Sequence, residues 1–521
     1  MGTVTAPPAP RTPRTWAAPR GWPAAVRRWP QRLRPHWVII ALLVLAAALR
    51  VAVLFAYRPA LIFPDSHRYL QFSQYFINGH WVPDTLRPSG YSILLIPVTR
   101  SHVLALAPIV QHLIGLAEGT MVYALLVRRG ARRWLAVLAA VPVLFDPLQL
   151  ILEQYLLSDV FAMFFVFTAL VVLAWNGRRA GPAAAAVSGL LLGAAAVTRI
   201  ADLVLIVPAL LYVCVAVRPW RRLAVTGPAL VLCFLIPVGT YAGWFDATRN
   251  RIGFTLNNGT FLYSRVVGFA DCAGLQLPPL ERPLCPTQPP AQRNSDFYTW
   301  SPKSPQWSMP VPSGMDRQSL VLDFSYRIIA HQPLTYLKTV AGDVAYGFSP
   351  VRGDGPERYP VAYLQFDKQF RPYWEVDYSL RIYGHTHPVV QPGLSAFVDR
   401  YGQFFYIPGP VLAAGFLLGL IGMVGTRRTR RNRPARGSPG SGQRSAAFLF
   451  LAVTAAALVA AAVTASFDWR YQVPQLTLIP LAAGFGVASL AGWRRPSPAE
   501  EPAVSAAPTT ADVPGTTARW P

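Results

Sequence analysis

Repeated apolar runs, most of them about 20 residues long, constrain this chain more than any other feature. They cover roughly 37–57, 103–127, 134–145, 159–175, 182–198, 200–217, 223–244, 405–425, 446–466 and 474–493. In hydrocarbon there is no water to satisfy backbone N–H and C=O groups, so a run of this length crosses as a helix. The fold class expected is an all-α polytopic membrane protein with about ten transmembrane helices, an amphipathic first outer loop and a large extracytoplasmic loop. The runs 182–198 and 200–217 are short for full crossings and only Arg199 marks the turn between them, which leaves a re-entrant hairpin as the alternative. With 53% hydrophobic and 14% charged residues among 521, a disordered or fibrous chain is excluded.

The formal net charge of +24 invites a nucleic-acid reading, but its placement argues against one. Arg128, Arg129, Arg132 and Arg133, then Arg178 and Arg179, then Arg218, Arg221 and Arg222, then the run Arg427 to Arg436 fill the turns after alternate crossings, as cytoplasmic turns do. Counting both tails, about 26 of 48 basic and about 3 of 24 acidic residues fall on that side, leaving the rest near neutrality. The charge is thus a topology signal. It predicts a multi-pass plasma-membrane protein with both termini cytoplasmic. Residues 1–35 read as a disordered basic tail, 36–245 as a transmembrane core with a first outer loop at 58–102, 246–404 as an extracytoplasmic region, 405–495 as carboxy-terminal spans and 496–521 as a second tail. The run from Trp37 is too long for a signal-peptide core and is expected to remain as an anchor.

No G-x-x-x-x-G-K-[ST] loop is present, so nothing points to ATP-driven transport. No Asp-x-Asp pair occurs, which disfavours a metal-held soluble nucleotide sugar. His and Cys show no zinc spacing, and neither a metal nor a cofactor is expected. Gly484-Phe485-Gly486 lies in an apolar run and reads as helix packing. Cys214 and Cys233 fall in spans, whereas Cys272 and Cys285 share the long outer loop and can pair as a disulfide.

Ionisable residues at the outer ends of the runs carry the chemistry. Asp65 opens a segment in which Tyr69, Phe72 and Phe76 recur at helical spacing, giving an amphipathic helix on the membrane surface. Its carboxylate suits a general base at fixed depth, and an N-cap is the plainer alternative. Arg87, in Arg87-Pro88-Ser89-Gly90-Tyr91, suits a phosphate or a lipid headgroup. Asp146, Glu153 and Asp159 crowd one short connection; Asp159 ranks first there and Glu153 second as sugar or base support, against helix capping. Arg199 and Arg470 with Tyr471 end or begin spans on the same side, as phosphate ligands or as membrane anchors. Arg50 reads as a snorkelling arginine, and Glu118, with His112 before it, as an intramembrane ionisable site.

Taken in order, Asp65, Arg87 to Tyr91, Asp159 and Arg470-Tyr471-x-x-Pro474 resemble the arrangement in GT-C-type membrane glycosyltransferases, a superfamily that includes protein mannosyltransferases and aminoarabinose transferases. The likeness covers about 37–245 and 446–493, and many relatives have Asp-Glu where this chain has Asp65-Ser66. It implies inverting transfer of a sugar from a polyprenyl-phosphate donor to a glycan, lipid or protein hydroxyl outside the cytoplasm. In that scheme Asp65 is the base, Asp159 or Glu153 supports the sugar or the base, and Arg87, Arg199, Arg470 and Tyr471 hold the phosphate. A secondary transporter or lipid flippase is the competing reading, since it also needs many spans and buried charge. A non-catalytic scaffold ranks below both.

Overall fold

A computed structural model describes residues 34–177, 180–355, 358–369, 383, 389–425 and 440–492. The expectations for Arg178, Arg179, the Arg427–Arg436 run and the tails before Arg34 and after Gly492 lie outside these residues. The chain is an all-α polytopic membrane protein. Five helices are long and apolar enough to cross a bilayer: α1 (Trp37–Ala56, with a preceding turn), α3 (Leu106–Arg128), α9 (Trp220–Arg249), α16 (Gly440–Thr464) and α17 (Val473–Ala491, with the turn before it). Two bent pairs qualify as units: α4 (Arg133–Phe145) with α5 (Pro147–Gln154) at 47°, and α14 (Pro392–Phe404) with α15 (Gly409–Val424) at 52°. Three shorter apolar helices complete the bundle: α6 (Asp159–Trp175), α7 (Pro182–Thr198) and α8 (Ile206–Ala216), the last entered through a 3₁₀ turn at Ile200–Leu205. α2 (Ser66–Ile77) occupies the first loop and buries Tyr69, Phe72 and Phe76 on one face, as the spacing predicts.

Small residues set the closest helix contacts, because apolar side chains gain little by leaving lipid for one another. A Cβ on Gly422 of α15 would collide with the Cα of Gly486 in α17, so the glycine run in 484–486 serves helix packing. The long loop builds a helical core of its own. Tyr263 and Val267 of α10 (Asn258–Val267), Tyr298 of α11 (Ser295–Trp300) and Phe324 and Ile328 of α12 (Arg317–His331) pack together, and the Cys272–Cys285 disulfide closes a strap beside them. α13 (Pro333–Tyr346) returns toward the bundle, where the Tyr336 hydroxyl donates to the Val463 carbonyl. Strand structure is confined among the described residues to β1 (Tyr57–Arg58), paired antiparallel with β2 (Val389–Val390), and to a bridge between Leu61 and Tyr155.

Two expectations are corrected inside the bundle. Arg50 does not snorkel: it is 2% exposed and donates to both Glu153 carboxylate oxygens at 2.8 and 2.9 Å and to the Leu144 carbonyl at 2.8 Å. Glu153, expected beside the sugar, stands instead in this network within the bundle. It is fully buried, with the His112 Nδ1 at 2.7 Å and the Gln149 amide at 3.0 Å as further partners, because a carboxylate at this depth needs its charge matched. Asp146 follows the plainer alternative, accepting from the Leu148 N–H as the α5 N-cap, and it also pairs with Arg352 at 3.0 Å. Glu118 is buried on α3, with its Oε1 lacking a hydrogen-bond partner among the described residues.

Removing one member of the Arg50–Glu153 pair leaves an uncompensated charge in the bundle. Glu153→Leu is expected to cost about 3–5 kcal/mol, and Arg50→Met with Glu153→Leu to recover much of it, as read from thermal unfolding of the purified protein in detergent. Equal losses in the single and double variants would contradict this.

Candidate active site

The first loop is fastened to the segment before α6 by backbone bonds, Leu61 N–H to the Gln154 carbonyl at 3.0 Å and Leu156 N–H to the Leu61 carbonyl at 3.2 Å. Ser66 completes the fastening. Its hydroxyl accepts from the Phe63 N–H at 2.9 Å and donates to the Leu156 carbonyl at 2.8 Å, a place where a second carboxylate would face a carbonyl instead of donating to it. This sets Asp65, at the head of α2, beside Asp159, the first residue of α6. The Tyr69 hydroxyl and Ser158 Oγ, 3.1 Å apart, strengthen the join.

Asp65 stands at the N-cap position of α2, but its carboxylate makes no capping hydrogen bond. It faces two cations instead, Arg87 Nη2 at 2.7 Å and Arg470 Nη1 at 3.4 Å. Arg87 is presented by a turn in which Ser89 Oγ accepts from the Asp84 N–H and the Ser89 N–H donates to the Tyr241 hydroxyl. Gly90 follows because a Cβ there would strike the Val197 carbonyl, two residues before Arg199. Phe261 and Trp300 from the long loop lie 5.2 and 5.6 Å from the Arg87 guanidinium and flank its charge.

Arg470 enters from the turn that opens α17. Asp468 caps that turn and accepts from the Arg470 Nε at 2.8 Å, while the guanidinium lies 4.6 Å from the centre of the Phe63 ring. Beyond Arg470 comes Asp159, whose oxygens stand 3.8 Å from Arg470 Nη1 and 3.7 Å from Arg199 Nη2. Arg199 in turn sits 5.4 Å from the Tyr471 ring centre. The charges thus alternate in one chain of ion pairs, Arg87, Asp65, Arg470, Asp159, Arg199. Contacts of 3.7 and 3.8 Å match charge without satisfying N–H groups, and Arg199 makes no side-chain hydrogen bond among the described residues. The cluster can therefore accept a tetrahedral oxyanion. Beside Trp469, a cavity of about 440 Å³ is lined by Arg352, Phe366, Asp399, Gln403 and Tyr406 among others.

Electrostatics follow from this order. Burial disfavours the charged form of Asp65, yet the guanidiniums of Arg87 and Arg470 outweigh it and hold the carboxyl below its ordinary value of 3.8.

Of the residues singled out from sequence, Asp65, Arg87, Asp159, Arg199, Arg470 and Tyr471 converge, and Glu153 stands apart in the Arg50–His112 network. Asp468, Phe63, Phe261 and Trp300 were missed. Asp468 had a signal, since it lies two residues before Arg470; the aromatic neighbours of Arg87 had none, because they come from the unrecognised loop.

Residues 107–251 match the family model described as dolichyl-phosphate-mannose-protein mannosyltransferase. That segment contains Asp159 and Arg199, while Asp65, Arg87 and Arg470 fall outside it. No curated protein matches the sequence. Among solved structures the chain is similar to the S. cerevisiae protein O-mannosyltransferase Pmt1-Pmt2 complex bound to the sugar donor, at 17% identity over 45% of this chain and 36% of that one, with a TM-score of 0.34. It is similar to the Archaeoglobus fulgidus oligosaccharyltransferase in the apo form at 14% identity, covering 88% of this chain and 51% of that one, TM-score 0.42. ArnT from Cupriavidus metallidurans in the apo state is 14% identical, over 86% of this chain and 77% of that one, TM-score 0.33. The chain thus spans 36% and 51% of the first two.

Replacing Arg87 or Arg470 by Ala removes a cation beside Asp65, so the Asp65 carboxyl should titrate at higher pH, as followed by its infrared carboxyl stretch against Asp65→Asn. Because the folded value is depressed, the stabilisation these pairs give is complete above the unfolded value of 3.8 and lost as pH falls through the lower folded value. An Asp65 titration unmoved in both variants would refute the pairing. The family match over residues 107–251 and the ordered motifs of the two loops together make this chain one that resembles the GT-C-type membrane glycosyltransferases.

Proposed function

We propose that the protein transfers a sugar from a polyprenyl-phosphate donor to an acceptor hydroxyl at the extracytoplasmic face of the plasma membrane, with inversion at the anomeric carbon. The observation that carries this reading is the convergence of Arg87, Arg199 and Arg470, from three distant parts of the sequence, on Asp65 and Asp159 at the ends of the spans. Three guanidiniums in one place make a phosphate site, and a lipid-linked phosphate is the form that a site at helix ends can meet while its chain stays in the bilayer. The site occupies the helix ends opposite the turns bearing Arg128, Arg133, Arg218 and Arg222, which supports the extracytoplasmic placement.

In a single displacement the acceptor oxygen attacks the anomeric carbon as the bond to the phosphate oxygen breaks, and the electron pair stays on that oxygen. Arg87, Arg199 and Arg470 would neutralise the growing charge, each from a position already held by a carboxylate. Preorganisation of this kind costs nothing at the moment of reaction. Asp65, the base expected from sequence, serves first as the anion that aims two of these cations. Tyr471 holds Arg199 by its ring face, and Asp159 joins Arg199 to Arg470.

Purified protein incubated with a panel of polyprenyl-phosphate hexoses and pentoses should release polyprenyl phosphate. Turnover should fall on the order of 10²–10³-fold in Arg87→Ala and Asp65→Asn, the scale of losing one preorganised transition-state contact. Release unchanged in both variants would sink the assignment.

A further inference from the structure

The long loop contributes a carboxylate whose surroundings differ from those of Asp65. Asp296 lies on α11, a helix fixed to the site at both ends. At one end Ser295 Oγ is 2.8 Å from Ser466 Oγ, two residues before Asp468. At the other end Trp300 covers Arg87. Between them Thr299 Oγ1 reaches the Tyr359 hydroxyl at 3.5 Å, and the Tyr359 N–H donates to the Phe467 carbonyl at 3.1 Å. Asn294 caps α11 by accepting from the Phe297 N–H, so the Asp296 side chain is not spent on the cap. Asp65, Asp159 and Asp468 each pair with a guanidinium. Asp296 has no hydrogen bond or ion pair among the described residues and is only partly buried. Asp202, the nearby acid on the Arg199 side, faces with Arg199 a recess of about 10 Å³ among Met163, Val166 and Leu205, too small to admit an acceptor.

Resting on the transferase reading above, we propose that Asp296 is the general base that takes the proton from the acceptor hydroxyl, while Asp65 aims Arg87 and Arg470 at the donor phosphate. The acceptor O–H proton passes to an Asp296 carboxylate oxygen as the acceptor oxygen bonds to the anomeric carbon. The bond from that carbon to the phosphate oxygen breaks, and its electron pair leaves with the polyprenyl phosphate. Asp296 then returns its proton to water. The division of labour follows from charge. A carboxylate clamped by two guanidiniums is a weak base, whereas Asp296 is pushed up first by burial and then by the negative charges of Asp468 and Asp65. The titratable groups coupled to it are Asp468 on the turn before α17, Asp65 at the head of α2, and Tyr359 and Tyr363 of the segment 358–364.

The test uses the full chain in detergent with the same polyprenyl-phosphate panel, water serving as the acceptor hydroxyl and released polyprenyl phosphate as the readout. For Asp296→Asn, kcat should fall on the order of 10²–10⁴-fold, the scale of general-base catalysis, with KM for the donor within about threefold of wild type. The wild-type kcat should rise with pH along an acidic limb that Asp296→Asn abolishes and Asp296→Glu restores in part. Asp65→Asn should raise the donor KM and, by removing a like charge, move the limb of its residual activity to lower pH. Wild-type kcat in Asp296→Asn, or an acidic limb that survives there and vanishes in Asp65→Asn, overturns the proposal and returns the base to Asp65. Absence of turnover by the wild type with every donor overturns the transferase reading, and this inference with it.

Discussion

Five charged side chains from four parts of the chain meet in a row, and each holds its neighbour where neither would stay alone. Arg87 and Arg470 need an anion to remain aimed inward from the edge of an apolar bundle, and Asp65 supplies it to both. Asp159 does the same for Arg470 and Arg199. In bulk water such pairs contribute little, because solvent screens them and side-chain entropy opposes them. Here they are partly buried, Asp65 and Arg470 exposing 13% and 14% of their side chains, so the attraction is stronger and the geometry more fixed. An incoming oxyanion would exchange one set of charged partners for another, with most of the ordering cost already met by folding.

Two backbone features deliver those side chains. The bridge between Leu61 and Tyr155, locked by Ser66, brings the head of α2 to the head of α6. The close approach of Gly90 to Val197 brings the Arg87 turn to the end of α7. Deeper in the bundle, Arg50, Glu153 and His112 close a separate network that fixes α5 against α1 and α3. That network is compensated from within, which is the signature of a structural clamp and sets it apart from the half-satisfied guanidiniums above it. Its existence also explains why Glu153, only six residues before Asp159, belongs to a different site.

The long loop reaches the charge cluster through Phe261 and Trp300, which flank Arg87. Its core of Tyr263, Phe324 and neighbours holds α11 steady, and α11 then offers Trp300 to Arg87 and carries Asp296 within electrostatic reach of Asp468 and Asp65. Two carboxylates near one centre are driven apart in basicity by their neighbours alone: cations lower Asp65, while burial and anions raise Asp296.

Sequence by itself determined the fold class, because a run of apolar residues in lipid has only the helix available, and that argument is local. It also identified most of the charged residues that meet, because an ionised side chain at the end of an apolar run is costly enough to be conspicuous. Period 3.6 revealed the buried face of α2 in the same way. Tertiary structure alone decided which of these residues share a site. Asp65 and Arg470 are 405 positions apart, and no local rule joins them. It decided that Asp146 caps a helix while Asp65, also at an N-cap position, does not: Asp146 has extended backbone that turns its carboxylate to the Leu148 N–H, whereas Asp65 has helical backbone and its carboxylate meets Arg87 and Arg470 from distant parts of the chain. It decided, too, that Arg50 stays inside: whether a long cation snorkels or remains buried depends on whether a carboxylate from another helix stands opposite, and that is a property of the packed bundle, not of the sequence around it.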